Sequence, residues 1–354
     1  MRVLLISLFA FFVAFTSYSK TITVSNNSAD IAMYSNLQTA IDSAEAGDVI
    51  YVFSSPTSYG NITINKKLTL IGAGYNKTIT SLNVTKFNKG SENSQLFGFL
   101  IGGVLSIHAD SNITISRSLL GRSIDIKCRN VMCYNNVIYN FVGGGHEYGI
   151  CNYLNVNNSE NLIITNNIFI AYQGYTCGDL ISITNSNKNS VLINNNVFFN
   201  VNTNASCFSN ISNAIIDNNI FYKVKTSGLS NCFLNNNIVY NGTDSLPYGN
   251  NQGEGNINGL DPQFLDMKNL QYFTLDGDYR LKDTSPGKNA GSDGKDIGLF
   301  GGLYPWPLYE DGKMNYSLLT DSHPTIREFS ILVNPVGQNG KVKFKARSVS
   351  PNKK

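Results

Sequence analysis

Ionisable side chains gather in two short runs of this sequence, LSIHA (105–109) and IDIKC (124–128), in which apolar and polar residues alternate. They form the densest charged group in the low-charge middle of the chain: His108, Asp125 and Lys127, flanked by Arg122 and Arg129. A histidine or lysine can exchange a proton with a substrate, and a lysine or arginine can neutralise a carboxylate. This set is therefore the first candidate for binding or catalysis.

The alternation indicates which side chains face solvent, because successive residues of a strand point to opposite faces. The inward residues would be Leu105, Ile107, Ile124, Ile126, Leu154, Val156, Ile181 and Ile183. The outward residues would be Ser106, His108, Asp125, Lys127, Tyr153, Asn155, Ser182 and Thr184. Neighbouring parallel strands are about 4.8 Å apart, so outward residues of adjacent strands lie within reach of one sugar ring. Tyr153, Tyr172 and Tyr175 could stack on sugars.

Composition excludes several classes of protein. Of the 354 residues, 42% are hydrophobic, enough for a sizeable core, and only 14% are charged, against roughly 25% in an average globular protein. The formal net charge of +3 is too small to indicate a nucleic-acid-binding or membrane-surface protein. A coiled coil and a largely disordered chain are excluded as well. No GxSxG, Walker or HExxH motif is present, and three histidines argue against a His-rich metal site.

The first nineteen residues are typical of a cleaved secretory signal peptide. Arg2 gives the positive start, and the apolar run from residue 3 to residue 15 is too short to span a bilayer comfortably. Ser17 and Ser19 are small residues at the positions preceding the expected cut. We therefore expect a secreted, periplasmic or cell-surface protein whose mature chain is soluble, has no membrane span and is monomeric.

One short pattern recurs through the middle of the chain: an alternating apolar run, a pair of asparagines, and a second apolar run. The copies are VMCYNNVIY (131–139), LIITNNIFI (162–170), VLINNNVFF (191–199), AIIDNNIFY (214–222) and CFLNNNIVY (232–240), with a weaker copy ITISRSLL (113–120). The second asparagine recurs at steps of 18 to 31 residues, with Ser118 in its place in the weaker copy. Such steps are in the range of solenoid repeats.

The physical character of these runs selects one type of solenoid. They are short, rich in Ile, Val and Phe, and bounded by Asn, Ser and Gly, which are features of strands. No helical period separates them, so a sheet with crossover helices is excluded. The sequence therefore predicts an all-β, single-stranded parallel β-helix. Asparagines at a fixed register are expected to be structural, either as a ladder of amides or in left-handed turns.

The segment NLQTAIDSAEAGDVIYV (36–52) predicts a helix that caps the open end of the stack. Leu37, Ala40, Ile41 and Ala44 form one apolar stripe, and Gly47 is expected to end the helix. The same segment, followed by ITINKKLTLIGAG (62–74) and the Asn-Asn repeats, resembles the pectin-lyase-like right-handed parallel β-helix superfamily. Further segments resemble the closing coil of its secreted bacterial members: DPQFLD (261–266), GDYRLKDTSPGKNAG (277–291) and DIGLFGG (296–302).

The resemblance implies a fold over residues 20–302 and a possible chemistry. In superfamily lyases a Ca²⁺ ion or a basic side chain neutralises a uronate carboxylate, and a Lys, Arg or His base removes the α proton. Carried over to this sequence, Lys127 would be the base, with His108 as a further candidate, Arg122 or Arg129 the carboxylate clamp, and Asp125 a metal ligand. A carboxylate beside Lys127 opposes the loss of its proton.

Other motifs of the superfamily are absent, including adjacent Asp pairs, Gly-His-Gly and RxPxxR. Glu147 and Asp179 remain as a possible hydrolase pair in inserted loops. Two function classes therefore stay open. The first is a protein that binds or cleaves an extracellular polysaccharide, with a lyase favoured over a hydrolase. The second is a non-catalytic surface or adhesive module.

The remaining features concern the C-terminus and the cysteines. Residues 303–354 predict two strands around a turn and resemble the short C-terminal tail of secreted Bacteroidetes-type proteins, either as a cap over the last coil or as an export signal. Cys133 falls at an apolar repeat position and is expected in the core. Cys151 and Cys177 precede strands in successive repeats and could form a disulfide.

Overall fold

A computed structural model of the protein describes residues 19–76, 79–139, 154–157, 161–171, 179–184, 191–200, 206–242, 244–268, 274–308, 312, 314, 325–331 and 344–349. Residues 1–18 of the predicted signal peptide lie outside these ranges. So do several residues named above: Tyr153, Tyr172, Tyr175, Glu147, Cys151 and Cys177.

Nearly all the regular structure is short strands. In chain order the elements are β1 (Thr21–Val24), α1 (Leu37–Ser43), β2 (Val49–Val52), β3 (Ile62–Ile64), β4 (Thr69–Gly72), β5 (Ser81–Leu82), β6 (Thr85–Phe87), β7 (Gln95–Phe97), β8 (Leu100–Ile101), β9 (Leu105–Ile107), β10 (Ser111–Ser116), β11 (Leu119–Leu120), β12 (Ile124–Ile126), β13 (Arg129–Tyr134), β14 (Val137–Tyr139), β15 (Leu154–Asn157), β16 (Leu162–Thr165), β17 (Ile168–Ala171), β18 (Ile181–Thr184), β19 (Val191–Asn194), β20 (Val197–Asn200), β21 (Phe208–Ser209), β22 (Ile211–Ser212), β23 (Ile215–Asp217), β24 (Ile220–Tyr222), β25 (Leu229–Ser230), β26 (Phe233–Asn235), β27 (Ile238–Tyr240), β28 (Ile257–Asn258), β29 (Phe264–Asp266), β30 (Asp278–Leu281), β31 (Thr325–Ile331) and β32 (Phe344–Val349).

Three parallel sheets contain most of these strands. Sheet A has the order β1-β2-β4-β7-β10-β13-β16-β19-β23-β26, and sheet B has the order β21-β18-β15-β12-β9-β6-β3. Sheet C has the order β28-β27-β24-β20-β17-β14-β11-β8-β5. Consecutive strands such as β9, β10 and β11 enter sheets B, A and C in turn, and β12 returns to sheet B beside β9. Each coil thus adds one strand to each sheet, and the predicted parallel β-helix is confirmed.

The core runs along the axis between the three sheets. Alternate residues of each strand point inward, and Ile and Leu from all three sheets form one continuous buried cluster. Phe198 stacks between Phe169 and Phe221, at ring-centroid distances of 4.8 and 5.1 Å. Cys133 is fully buried in the same cluster, as its repeat position predicts.

The Asn-Asn pairs occupy the turn between sheets A and C. The first residue of each pair has a positive φ: Asn135, Asn166, Asn195, Asn218 and Asn236, at 50° to 58°. Asparagine tolerates this left-handed conformation better than most residues. Arg117 holds the same conformation in the weaker copy, at φ 53°.

The second residue of each pair is buried and bonded to the next coil. The Nδ2 of Asn136 donates to Oδ1 of Asn167 at 3.0 Å, and Asn167 donates to Asn196 at 3.1 Å. The same bond continues through Asn219 and Asn237. Each Oδ1 also accepts the backbone N–H of the preceding coil's asparagine, as Asn167 does from Asn136 at 3.0 Å. The buried amides are therefore satisfied by one another.

Helix α1 covers the end of sheet B. Its apolar stripe is buried against the core, as predicted. Gln38 bonds the exposed edge of β3, since its Nε2 donates to Thr63 O at 3.1 Å and its Oε1 accepts from Thr63 N at 2.8 Å. The helix ends at Ser43, earlier than predicted, because Ala44 is extended. Gly47, with φ 102°, lies in the turn that follows.

The segment 261–308 differs from the closing coil that the resemblance implied. Its strands β29 and β30 pair antiparallel, outside the three parallel sheets. Its apolar side chains, among them Ile297, Leu299 and Trp306, cover the outward face of sheet C in a second buried cluster. We call residues 290–306 the strap.

The first asparagines of the pairs also hold the strap. Asn135 donates to Tyr304 O at 2.9 Å, and Asn166 donates to Leu299 O and Gly301 O, both at 2.9 Å. The other three donors bond further strap residues: Asn195 to Gly298 O, Asn218 to Ser292 Oγ, and Asn236 to Ala290 O. In each turn the second asparagine thus bonds its neighbours within the core, and the first asparagine bonds the strap.

The C-terminal strands β31 and β32 form an antiparallel pair. Within the described ranges, no helix is long and apolar enough to cross a membrane.

Candidate functional site

The outward face of sheet B carries one line of polar side chains in strict register, which we call the polar row. Its members, one from each strand, are Thr63, Lys86, Ser106, Asp125, Asn155, Ser182 and Ser209. The alternation forces this arrangement, because the isoleucines on either side of Asp125 are fully buried. Four of the predicted outward residues thus lie on adjacent strands: Ser106, Asp125, Asn155 and Ser182.

His108 and Lys127 extend the polar face by one side-chain position. Each follows its strand, and each donates its backbone N–H to the preceding coil, His108 to Phe87 O and Lys127 to Ile107 O, both at 2.8 Å. They are therefore held at neighbouring positions of adjacent coils. Asp125 lies two residues before Lys127, on the same outward side.

These three side chains form one charged cluster. His108 Nε2 lies 2.7 Å from Asp125 Oδ2, and Lys127 Nζ lies 3.7 Å from the same oxygen. The exposed fractions of the side chains are 38% for His108, 33% for Asp125 and 51% for Lys127. The cluster is thus in contact with solvent and open to a large ligand.

The geometry assigns different capacities to the three groups. An ionised carboxylate only accepts hydrogen bonds, so Nε2 of His108 carries the proton that Asp125 accepts. In the neutral imidazole this leaves Nδ1 with a free lone pair, able to take a proton. A lysine ammonium has no lone pair and acts as a donor and a positive charge.

The two predicted arginines lie apart from this cluster. Arg122 precedes β12, whereas Arg129 opens β13, which belongs to sheet A. Both are exposed, and within the described part of the chain neither guanidinium forms an ion pair. The arginines therefore flank β12 at opposite ends, about 10 Å or more from each other along the strand.

A calcium site is not supported by the donor set of the polar face. Ca²⁺ takes six to eight oxygen ligands, several of them carboxylates. Asp125 is the one carboxylate in the polar row, and His108 and Lys127 already hold it. Among the described residues no group of three or more His, Cys, Asp or Glu could hold a metal ion.

The described cysteines are unsuited to nucleophilic chemistry. Burial raises the pKa of the Cys133 thiol to about 12. Burial, with the nearby charges of Glu92 and Asp110, raises the pKa of the Cys128 thiol to about 12. Cys207 and Cys232 are also buried, and burial raises the pKa of both thiols. All four are core residues.

A cleft far from the polar row escaped the sequence analysis. It has a volume of about 540 Å³ and lies between sheet C and the β29–β30 pair. Its lining includes Tyr222, Asp261, Gln263, Lys268 and Lys282. These residues come from sheet C and from the segments around β29 and β30, which are far apart in the sequence. No local sequence pattern therefore marks them.

Comparisons with known proteins indicate no reaction for this chain. No protein-family model matches the chain, and no curated protein matches it in sequence. Among solved structures, the crystal structure of pectate lyase Pel9A is similar over 79% of this chain and 96% of that chain. The two are 13% identical, with a TM-score of 0.46. Any function must therefore be argued from the residues of this chain.

Proposed function

We propose that the polar face of sheet B binds a linear acidic polysaccharide outside the cell and cleaves it by β-elimination. The observation that carries this proposal is the solvent-open cluster in which one carboxylate, Asp125, holds both His108 and Lys127. A proton acceptor and a fixed positive charge on one strand pair are what an elimination beside a carboxylate requires. The predicted secretory signal at the N-terminus favours an extracellular substrate.

The polar row suits an extended ligand because it continues over several coils. Strands about 4.8 Å apart place Ser106, Asp125 and Asn155 at regular steps along the axis, where the Ser106 hydroxyl and the Asn155 amide can bond sugar hydroxyls. Ser182, the next residue of the row, is only 8% exposed. Lys86, a member of the row, adds a second positive charge to the face that holds Lys127. A polyuronate chain lying along this face would meet two cations and several hydrogen-bond donors.

In the proposed reaction Lys127 neutralises the uronate carboxylate. Nδ1 of His108 removes the hydrogen from C5, the carbon beside the carboxylate. The electron pair forms a C4=C5 double bond as the C4–O bond to the neighbouring sugar breaks, and the departing oxygen takes a proton from solvent. Asp125 orients the imidazole and stabilises its charged form after the transfer.

This assignment changes the role that the resemblance implied for Lys127 from base to cation, and it takes His108, the further candidate, as the base. Lys127 becomes the cation because its ammonium faces Asp125, and His108 becomes the base because Nδ1 remains free. The hydrolase pair Glu147 and Asp179 has no geometric support, since Glu147 lies outside the described residues.

The test is the ultraviolet absorbance of unsaturated uronate product across a panel of acidic polysaccharides. Wild-type protein should form product, and His108→Gln should lower the rate by ~10²–10⁴-fold, the usual contribution of a general base. Lys127→Met removes the proposed cation. Its matched control is Lys282→Met, which removes a lysine from another face of the protein and should leave the rate unchanged. Equal rates for wild type and His108→Gln would remove histidine from the mechanism.

A non-catalytic surface module is the competing function. It predicts no product on any acidic polysaccharide and no binding to a glycan array. Binding without product would retain the polar row as a binding site and reject the elimination.

A further inference from the structure

Sheet A carries an apolar row on its outward face, where solvent should favour polar residues. Strand register aligns five side chains from successive coils, which we call the apolar row: Met132, Ile163, Leu192, Ile215 and Phe233. The same register line is polar in the preceding coils, where Gln95 and Thr114 lie. Ile215 and Phe233 are 45% and 52% exposed.

The other two sheets show that this row is unusual within the molecule. The outward face of sheet B is polar throughout the polar row. The outward face of sheet C is apolar, but the strap and its neighbours bury it. The apolar row thus differs from the polar face of sheet B and from the covered face of sheet C. Exposed apolar surface of this kind is typical of a binding site.

Amide groups border the apolar row. On one side an exposed asparagine lies two residues before four of the five apolar residues: Asn130, Asn161, Asn213 and Asn231, all with positive φ. Asn161 donates to Asn130 at 2.8 Å, and Asn130 donates to Asn112 at 2.8 Å. An amide has two N–H groups and two lone pairs, so one such bond does not exhaust its hydrogen-bonding capacity.

The opposite border of the row is also largely neutral. It contains Thr165, Asn194 and Asn235, two residues after their apolar neighbours. Asp217 lies between Asn194 and Asn235 and is the one acidic residue of this border. Neither the apolar row nor the asparagines before it include a charged side chain, so the surface gives a charged ligand no counter-charge.

We propose that the apolar row, with its amide borders, binds a neutral linear polysaccharide. Five strands about 4.8 Å apart give a row ~19 Å long and one side chain wide. A stable protein–protein interface needs ~800 Å² from each partner, which such a narrow row falls well short of. A sugar chain fits, because its ring presents an apolar C–H face with hydroxyls along both edges.

This site is independent of the proposed chemistry on sheet B. It faces a different side of the β-helix, shares no residue with the polar row and lacks its charges. A protein with both sites would hold a neutral matrix polysaccharide on one side and an acidic chain on the other.

Affinity electrophoresis in native gels containing a soluble neutral β-glycan tests the proposal; hydroxyethyl cellulose, xylan and glucomannan are the probes. Ile215→Asp places a charge in the row, and Thr114→Asp places the same charge on the same register line in its polar part. The two variants should have similar mobility without glycan. With at least one glycan, wild type and Thr114→Asp should be retarded, and Ile215→Asp should bind at least ~10-fold more weakly.

A second variant, Phe233→Ala, should weaken binding without adding charge, and thermal unfolding should show that each variant is folded. Two outcomes overturn the proposal. The first is no retardation of wild type by any neutral glycan, or equal retardation of wild type and Ile215→Asp. The second is a concentration-dependent dimer in light scattering that Ile215→Asp dissociates, which would assign the row to a second copy of this chain.

Discussion

The two adjacent asparagines of each repeat have different structural roles, and the backbone conformation determines which role each one has. In the pair Asn195-Asn196, the left-handed φ of Asn195 turns its side chain outward to the strap, while Asn196 points into the core. The sequence alone supports both uses of asparagine, in turns and in ladders, since each follows from the residue type. The bonds to the strap could not be predicted, because they join residues about 100 positions apart.

One outward residue departs from the amide pattern, and its replacement should stabilise the protein. Asp217 lies between Asn194 and Asn235 and accepts from Asn235 Nδ2 at 3.0 Å. Burial raises the pKa of Asp217, partly offset by the bonds from Asn235. Asn194 Oδ1 is buried without a partner beside it. Asp217→Asn keeps the acceptor and adds a donor, so we expect the melting temperature at pH 7 to rise by ~1–3 °C.

The sign of the pH dependence gives a stricter check of the same variant. The pKa of Asp217 is higher in the folded chain than in the unfolded chain. Its contribution to the free energy of unfolding is therefore favourable at low pH, and that contribution is lost as the pH rises through the pKa of the folded chain. The advantage of Asp217→Asn should therefore be largest at neutral pH and shrink on acidification to about pH 3. Scanning calorimetry at both pH values measures this. An advantage that grows on acidification would contradict it.

At the scale of elements, the turns between sheets A and C depend on the buried amides. Asn196 donates to Asn219 Oδ1 and Ile164 O, and it accepts from the backbone and side chain of Asn167. Asn196→Ala leaves several of these buried groups unpaired, at ~1–3 kcal/mol each. Denaturant unfolding should show a loss of at least ~3 kcal/mol.

The matched control lies two residues earlier, at the end of β19. Asn194 points outward and its Oδ1 has no partner, so Asn194→Ala should change the free energy of unfolding by less than ~1 kcal/mol. Equal losses for the two variants would mean that the buried amides contribute nothing specific to stability.

The strands were predictable because their apolar residues alternate, whereas the strap was not. Leu105, Ile107, Ile124 and Ile126 face inward in the order that a period of two requires. The strap covers sheet C with residues whose spacing has no period, such as Ile297, Leu299 and Trp306. Its position depends on contacts with strands far away in the sequence, and no local pattern encodes those.

The strap's contribution to stability can be measured through its tryptophan. Trp306 is buried against the outward side chains of sheet C. Trp306→Ala should cost ~3–5 kcal/mol, the usual loss for a buried large aromatic residue. Leu303→Ala is the control, because Leu303 is 87% exposed and its loss should be near zero. A near-zero loss for Trp306→Ala would show that the strap is not part of the cooperative fold.

At the scale of the whole molecule, the three sheets present three different surfaces on one core. Sheet B is polar and charged, sheet C is covered by the strap, and sheet A carries the apolar row. The charged cluster could be predicted because His108, Asp125 and Lys127 follow from alternation and register. The separation of Arg122 from Arg129 could not, since it depends on where the chain turns from sheet B to sheet A.

The central claim is that the polar face of sheet B binds acidic polysaccharide through the charge of Lys127. Affinity electrophoresis of wild type, Lys127→Arg and Lys127→Met in gels containing polygalacturonate tests it most directly. We expect wild type and Lys127→Arg to be retarded, Lys127→Met to be retarded much less, and added salt to weaken all retardation. Wild-type protein that runs unretarded, or Lys127→Met that is retarded as strongly as wild type, would contradict the account.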